Sequence, residues 1–161
     1  MNRVRTAAGE GTCLADYLDP RRIHPRLPAA TKDELLASLA GGLHTAGVLR
    51  DARAFVRAVR PRMTRGASGF HGIALLSARG RSVVGPAAAF ARVPADLGWR
   101  GADGRAVRDV FLLAAPHRLR DTGCVQAYAV LARHTAHPGF RRLLAAARTT
   151  DDLHDLFRLV R

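Results

Sequence analysis

The run Val110-Phe111-Leu112-Leu113-Ala114-Ala115, closed by Pro116, constrains this chain more than any other stretch. Side chains alternate across a strand, and here neither of the two alternating sets contains a polar residue, so a strand from Val107 to Ala114 must be covered on both faces. Such a strand belongs at the centre of a sheet. The expected architecture is α/β, a small mixed β-sheet flanked by helices on both faces.

The covering helices are legible on either side of that strand. Thr31-Lys32-Asp33-Glu34 places a hydroxyl at an N-cap and a carboxylate three residues on, a capping box ahead of Leu35, Leu36, Leu39 and Leu43 on one helical face; Gly47 stops this helix. A second helix is expected over Asp51 to Arg60, burying Phe55, Val56 and Val59, with Pro61 ending or bending it. Arg53, Arg57 and Arg60 recur on its other side as a solvated face. After the central strand come helices over Asp121 to Thr135, with Val125, Tyr128, Ala129 and Ala132 inward, and Pro138 to Ala147, with Phe140, Leu143, Leu144 and Ala147 inward. The last helix begins at Thr149 or Thr150, carries Asp151 and Asp152 in its first turn, buries Leu153, Leu156, Phe157 and Val160, and ends in Arg158 and Arg161, a charge order that suits the helix dipole. Leu14, Tyr17 and Leu18 suggest a single helical turn, Arg22 to His24 a short edge strand, and Ser82 to Val93 a strand broken at Gly85-Pro86. Asp103-Gly104 reads as a turn rather than a catalytic carboxylate.

The stretch Gly66 to Arg79 carries the functional signal. Gly66, Gly69 and Gly72 give backbone freedom and exposed amides, and Ile73-Ala74-Leu75-Leu76 then reads as a buried strand that brings Ser77 to its carboxyl end, where ligands of α/β folds usually sit. With Arg62, Arg65 and Arg79 close by, the loop could also cradle an anion without chemistry. Residues 1–10 are expected to form a loose tail and residues 11–161 one domain. Cys13 and Cys124 are far apart with no second pair at ligand spacing, and His134 with His137 lacks a third ligand, so no disulfide, metal or cofactor is expected. No apolar run approaches the roughly 20 residues of a membrane span, and the amino terminus lacks the apolar core of a signal peptide, which places the chain in the cytoplasm. The formal charge of +13 admits a nucleic-acid-binding alternative, but the arginines are spread along the whole chain instead of forming a stripe.

In order and spacing, Leu14-Ala-Asp-Tyr-Leu18, Thr31-Lys-Asp-Glu-Leu-Leu36, Gly72-Ile-Ala-Leu-Leu76, Ala102-Asp-Gly-Arg-Ala-Val107, Val110 to Pro116, Phe140 to Leu144 and Thr149 to Leu153 resemble the type-2 enzyme IIA domain of the bacterial phosphotransferase system, in its fructose, mannitol and nitrogen-regulatory branches. The resemblance covers most of the chain. It implies a phosphoacceptor histidine at the end of a Gly-Ile-Ala-Ile-Pro-His strand, charged by the histidine phosphocarrier protein. Here Leu76 stands at the proline and Ser77 at the histidine; a second family histidine falls at Gly123. The preceding loop has also lost an acidic residue and a threonine.

A serine hydroxyl is almost un-ionised at neutral pH and needs a neighbouring base to act as a nucleophile. Phosphoserine, moreover, is a stable ester with little tendency to pass its group on. The expectation is a IIA-like protein that has lost its phosphoacceptor and works as a regulatory module on a protein partner, either the phosphocarrier protein or a regulated target, for which an acidic face would suit the charge. The alternative is an active carrier in which His71 or His117, both expected near the carboxyl end of the sheet, takes the phosphoryl group. His24, His44, His134, His137 and His154 read as bland surface residues.

Overall fold

The computed structural model describes residues 12–64, 69–120 and 122–161. Five strands form one mixed sheet in the order β1-β4-β5-β3-β2, where β1 is Ile23–His24, β2 Gly69–Phe70, β3 Ile73–Gly80, β4 Ala87–Arg92 and β5 Asp109–Pro116. The run that demanded cover on both faces is the central strand. It pairs parallel with β3, from Ile73 opposite Asp109 to Gly80 opposite Pro116, and antiparallel with β4, from Ala87 opposite Ala114 to Arg92 opposite Asp109. β1 lies parallel to β4 at one edge, as expected of a short edge strand, and β2 forms a hairpin with β3 at the other.

Helices α1 (Lys32–Thr45) and α2 (Ala52–Thr64) cover one face; α3 (Gly123–Thr135), α4 (Pro138–Ala146) and α5 (Thr150–Arg158) cover the other. The first layer is built from Leu35, Leu36, Leu39 and Leu43 of α1 and Phe55, Val59 and Met63 of α2 against Ala74, Leu76, Val110 and Leu112. In the second, Phe90, Phe111 and Phe157 meet with ring centroids 4.9, 5.4 and 5.3 Å apart, joining β4, β5 and α5 in tilted and edge-on contacts. Each ring is fully buried and contributes on the order of 1.5–3 kcal/mol of transfer free energy. The two helix starts read from hydroxyl–acid pairs are in place. The Thr31 hydroxyl accepts from the Glu34 amide at 3.1 Å, and the Thr149 hydroxyl accepts from the Asp152 amide at 3.1 Å. At α1, however, the Glu34 carboxylate reaches back to the amide of Ala30 (2.8 Å), one residue beyond the cap.

Several expectations are corrected. Pro61 does not end α2, which continues to Thr64 so that Met63 is buried one turn beyond Val59. β5 starts and ends two residues later than expected, because its register is set by pairing with both neighbours through Pro116. α3 buries Gly123, Cys124, Ala127 and Leu131, leaving Val125, Ala129 and Ala132 exposed. Alanines and valines lie on both sides of its polar positions Gln126 and Arg133, so the apolar pattern marks the buried face only weakly, and contact with the sheet fixes it. Leu143 of α4 is likewise exposed, at 56%. The expected tail and the helix position at Asp121 lie outside the described residues.

Candidate functional site

β3 does not stop at Leu76. Parallel pairing with β5 carries it to Gly80, so Ser77 lies opposite Leu113 within the strand and not at its carboxyl end. Ile73 and Leu75 belong to the α3–α5 layer while Ala74, Leu76 and Ala78 belong to the α1–α2 layer, and strand alternation therefore turns Ser77 and Arg79 towards α3–α5. Ser77 is half-buried and Arg79 exposed. Among the described residues, no group hydrogen-bonds the Ser77 hydroxyl.

Tyr128 sits beside it, and its role was not legible in the sequence. Its hydroxyl donates to the Leu76 carbonyl at 2.6 Å and lies 3.0 Å from the Phe111 carbonyl, tying α3 to both central strands next to Ser77. Burial pushes the phenol pKa up, so the phenol stays protonated and serves as a donor, not a base. The periodicity of α3 pointed its ring inward, but nothing local to it announces a carbonyl partner 52 residues away.

The two candidate histidines do not converge. His71 lies in the turn between β2 and β3, at the amino end of β3, whereas His117 follows Pro116 at the carboxyl end of β5, its amide donating to the Gly80 carbonyl at 3.0 Å. Because β3 and β5 are parallel, roughly 25 Å of strand separates them. His71 has a positive φ of 56°, held by a hydrogen bond of 2.7 Å from its amide to the Asp103 carboxylate. Asp103 also accepts from the Arg105 amide at 3.1 Å, and these backbone donors, with that of His71 the largest, lower its pKa. The Asp103-Gly104 turn thus acts as a clamp on the β2–β3 turn. His117 is exposed and stands roughly 13 Å further along the strand direction than Ser77.

Arg62 is an exposed residue of α2, on the opposite face of the sheet from Ser77. Arg65 and the Gly66 end of the proposed anion cradle lie outside the described residues. The glycines of the loop that are described have packing tasks. A Cβ on Gly69 would come within 3.2 Å of the Ile73 carbonyl and of Val107, and the Gly72 carbonyl accepts from the amides of Arg108 and Asp109 at 2.8 and 3.0 Å. Gly123 is buried as the first residue of α3, and the short connection after Pro116 starts that helix at the carboxyl end of the β3–β5 pair. Of the candidates, then, the geometry groups Ser77 with Arg79, sets His117 and Gly123 towards the same end of the sheet, and removes His71 and Arg62 from it. Among the described residues, no cluster of three His, Cys, Asp or Glu side chains has metal-binding geometry, and no helix is long and apolar enough to cross a membrane.

A two-faced mixed sheet with this strand order, and a candidate site on the inner strand β3, defines a class that comparison with known proteins identifies. The family model for the phosphoenolpyruvate-dependent sugar phosphotransferase system, EIIA 2, matches residues 16–159, and the chain belongs to this family. It is 26% identical over 144 residues to the fructose-specific EIIABC component of the phosphotransferase system of Bacillus subtilis (strain 168), a match that covers 89% of this chain and 22% of that protein. The chain therefore spans about a fifth of the length of that relative. Among solved structures it resembles the nitrogen regulatory protein IIA-Ntr from Neisseria meningitidis (TM-score 0.75, 18% identity, 89% of this chain and 97% of that one). It also resembles the mannitol enzyme IIA in the complex of that protein with phosphorylated enzyme IIB from Escherichia coli (TM-score 0.66, 19% identity, 85% and 94%). At these identities the structural likenesses speak for the fold alone.

Proposed function

We propose that this IIA-family protein does not relay phosphoryl groups through position 77 and acts instead as a regulatory module that binds a protein partner. One observation carries the reading: the hydroxyl at the position where the family resemblance implies the phosphoacceptor imidazole has no base within hydrogen-bond reach among the described residues. A serine left without a general base is a poor nucleophile at neutral pH, and Tyr128, whose hydroxyl bonds the carbonyl of the preceding residue Leu76, is held as a donor. A protein partner is supported by the mannitol enzyme IIA, whose structure is that of a complex with phosphorylated enzyme IIB. The charge of such a partner is suggested by Arg79, Arg81, Arg118 and Arg120, all exposed around the carboxyl ends of β3 and β5 and none in an ion pair among the described residues. These arginines suit an acidic surface.

The test is incubation with labelled phosphoenolpyruvate, enzyme I and the histidine phosphocarrier protein. The expected result is no stoichiometric acid-labile label on the chain. Stoichiometric label that disappears in H117A would replace this reading with that of an active carrier using His117; label that survives H117A would place the acceptor elsewhere and equally overturn the proposal.

A further inference from the structure

At the other end of β5 from His117 lies a cleft of about 530 Å³ that the family resemblance does not involve. It is lined from four separate segments: the connection after β1 (Pro25, Arg26), the end of β4 and the residues after it (Arg92, Pro94), the start of β5 (Arg108, Asp109) and the end of α4 and beyond (Arg148). Its polar groups are unequal in number. Asp109 is the one carboxylate in the lining, and it is already matched, since Arg92 Nε donates to it at 2.7 Å. Arg92 also reaches the second Asp109 oxygen at 3.4 Å and donates from its terminal nitrogens to the Leu144 and Ala147 carbonyls, at 2.7 and 2.6 Å. That pair is internally neutral and held rigid at the base of the cleft.

Three further guanidinium groups remain. Arg108 is aimed by hydrogen bonds from Nε to the Val93 carbonyl (3.0 Å) and from one terminal nitrogen to the Pro94 carbonyl (3.1 Å). Arg26 and Arg148 are exposed, and neither side chain has an ion-pair partner among the described residues. Three positive charges around one concavity repel one another unless an anion joins them, and arginine forks match the oxygens of a phosphate two at a time. The volume falls in the range of small-molecule sites and exceeds what inorganic phosphate needs, and the wall at Pro25 and Pro94 is apolar. We propose that this cleft binds a phosphorylated small molecule, with the phosphate dianion held by Arg26, Arg108 and Arg148 and the organic part against the proline wall. The site is distinct from the Ser77 region and does not depend on whether position 77 is phosphorylated. A bound ester would bridge the four segments and so stabilise the fold.

Isothermal titration calorimetry on the full chain at constant ionic strength tests this, with glucose 6-phosphate as the probe, inorganic phosphate and glucose as the other arms, and urea unfolding run in parallel. Glucose 6-phosphate is expected to bind with Kd below about 1 mM, inorganic phosphate several-fold more weakly and glucose not at all. R26A/R148A should weaken the sugar phosphate at least tenfold while leaving the unfolding midpoint of the free protein unchanged, since neither side chain is paired. R118A/R120A, at the opposite end of the sheet, should leave the affinity as it is. Absence of sugar-phosphate binding, equal binding by R26A/R148A, or an equal loss in R118A/R120A, the signature of net charge acting alone, would each overturn the proposal.

Discussion

Replacing Arg92 by methionine removes the guanidinium that joins β4, β5 and the end of α4. The side chains of Arg92 and Asp109 are only 20% and 14% exposed, which separates this ion pair from the others in the fold: Arg21, paired with Asp19, is 85% exposed. Burial pushes the Asp109 carboxyl pKa up, and the hydrogen bond and charge of Arg92 pull it back. R92M keeps the first effect, deletes the second, and strips the Leu144 and Ala147 carbonyls of their donor. Leaving one member of a buried pair uncompensated costs about 3–5 kcal/mol, a large share of the stability of a domain this size. With a urea slope of about 2 kcal/mol per molar, the unfolding midpoint should fall by about 2 M. R92M/D109L should be more stable than R92M, because it also removes the stranded charge.

The sign of the pH dependence follows from the same pair. In R92M the folded-state pKa of Asp109 lies above the unfolded value, so the folded state takes up the proton first and the deficit must shrink as pH falls through that raised pKa. Urea titrations at pH 8 and pH 5 should show the larger loss at pH 8. A loss below about 1 kcal/mol at pH 8, or a double variant no more stable than R92M, would refute the view that burial makes this pair matter.

S77H puts an imidazole where the family resemblance implies the phosphoacceptor, and it should acquire acid-labile label in the phosphotransfer assay; a folded S77H that stays unlabelled would show that more of the site than position 77 is lost. Y128F removes the hydroxyl shared by the Leu76 and Phe111 carbonyls and should cost about 1–2 kcal/mol in urea unfolding, with no change meaning that water or the strand ladder satisfies both carbonyls. G101A drives a methyl group into the Gly69 carbonyl, whose carbon would lie 2.8 Å away, and should destabilise by about 1–3 kcal/mol; an unchanged midpoint would mean that the β2 edge moves freely. The Arg21 guanidinium hydrogen-bonded to Asp19 is the largest influence on its carboxyl and holds the pKa at about 2, below the ordinary 3.8. Its contribution to stability is therefore complete above pH 4 and lost as pH falls through 2, and D19N should flatten the acid limb of the stability profile there.

Much of the fold could be read from local pattern because local physics sets it. The hydroxyl of Thr149, Asp152 three residues on, and Leu153, Leu156 and Phe157 specify α5 from its first turn to its buried face within one short segment. The uninterrupted apolar run of β5 demanded a central strand with a layer on each side, and the sheet provides it. In α3 the same reasoning placed Tyr128 inward correctly but misplaced Val125, Ala129 and Ala132, since small apolar residues beside the polar positions Gln126 and Arg133 offer little contrast in burial energy until a sheet is laid against the helix.

For the site the division is sharper. That Ser77 stands where the family resemblance implies an imidazole is read from the order of residues after Gly72, because it concerns identity at one position of a strand. That it lies inside β3 rather than at its tip, that His71 and His117 lie at opposite ends of the strands, and that Asp109 finds Arg92 while Tyr128 finds Leu76 are consequences of register and packing. These contacts join residues far apart in the chain, and a sequence pattern carries no information on which of many arginines or carbonyls a distant side chain will meet. Strand register makes that choice: the antiparallel pairing of β4 with β5 sets Arg92 opposite Asp109, and the parallel pairing of β3 with β5 sets which end of the sheet His71 and His117 occupy.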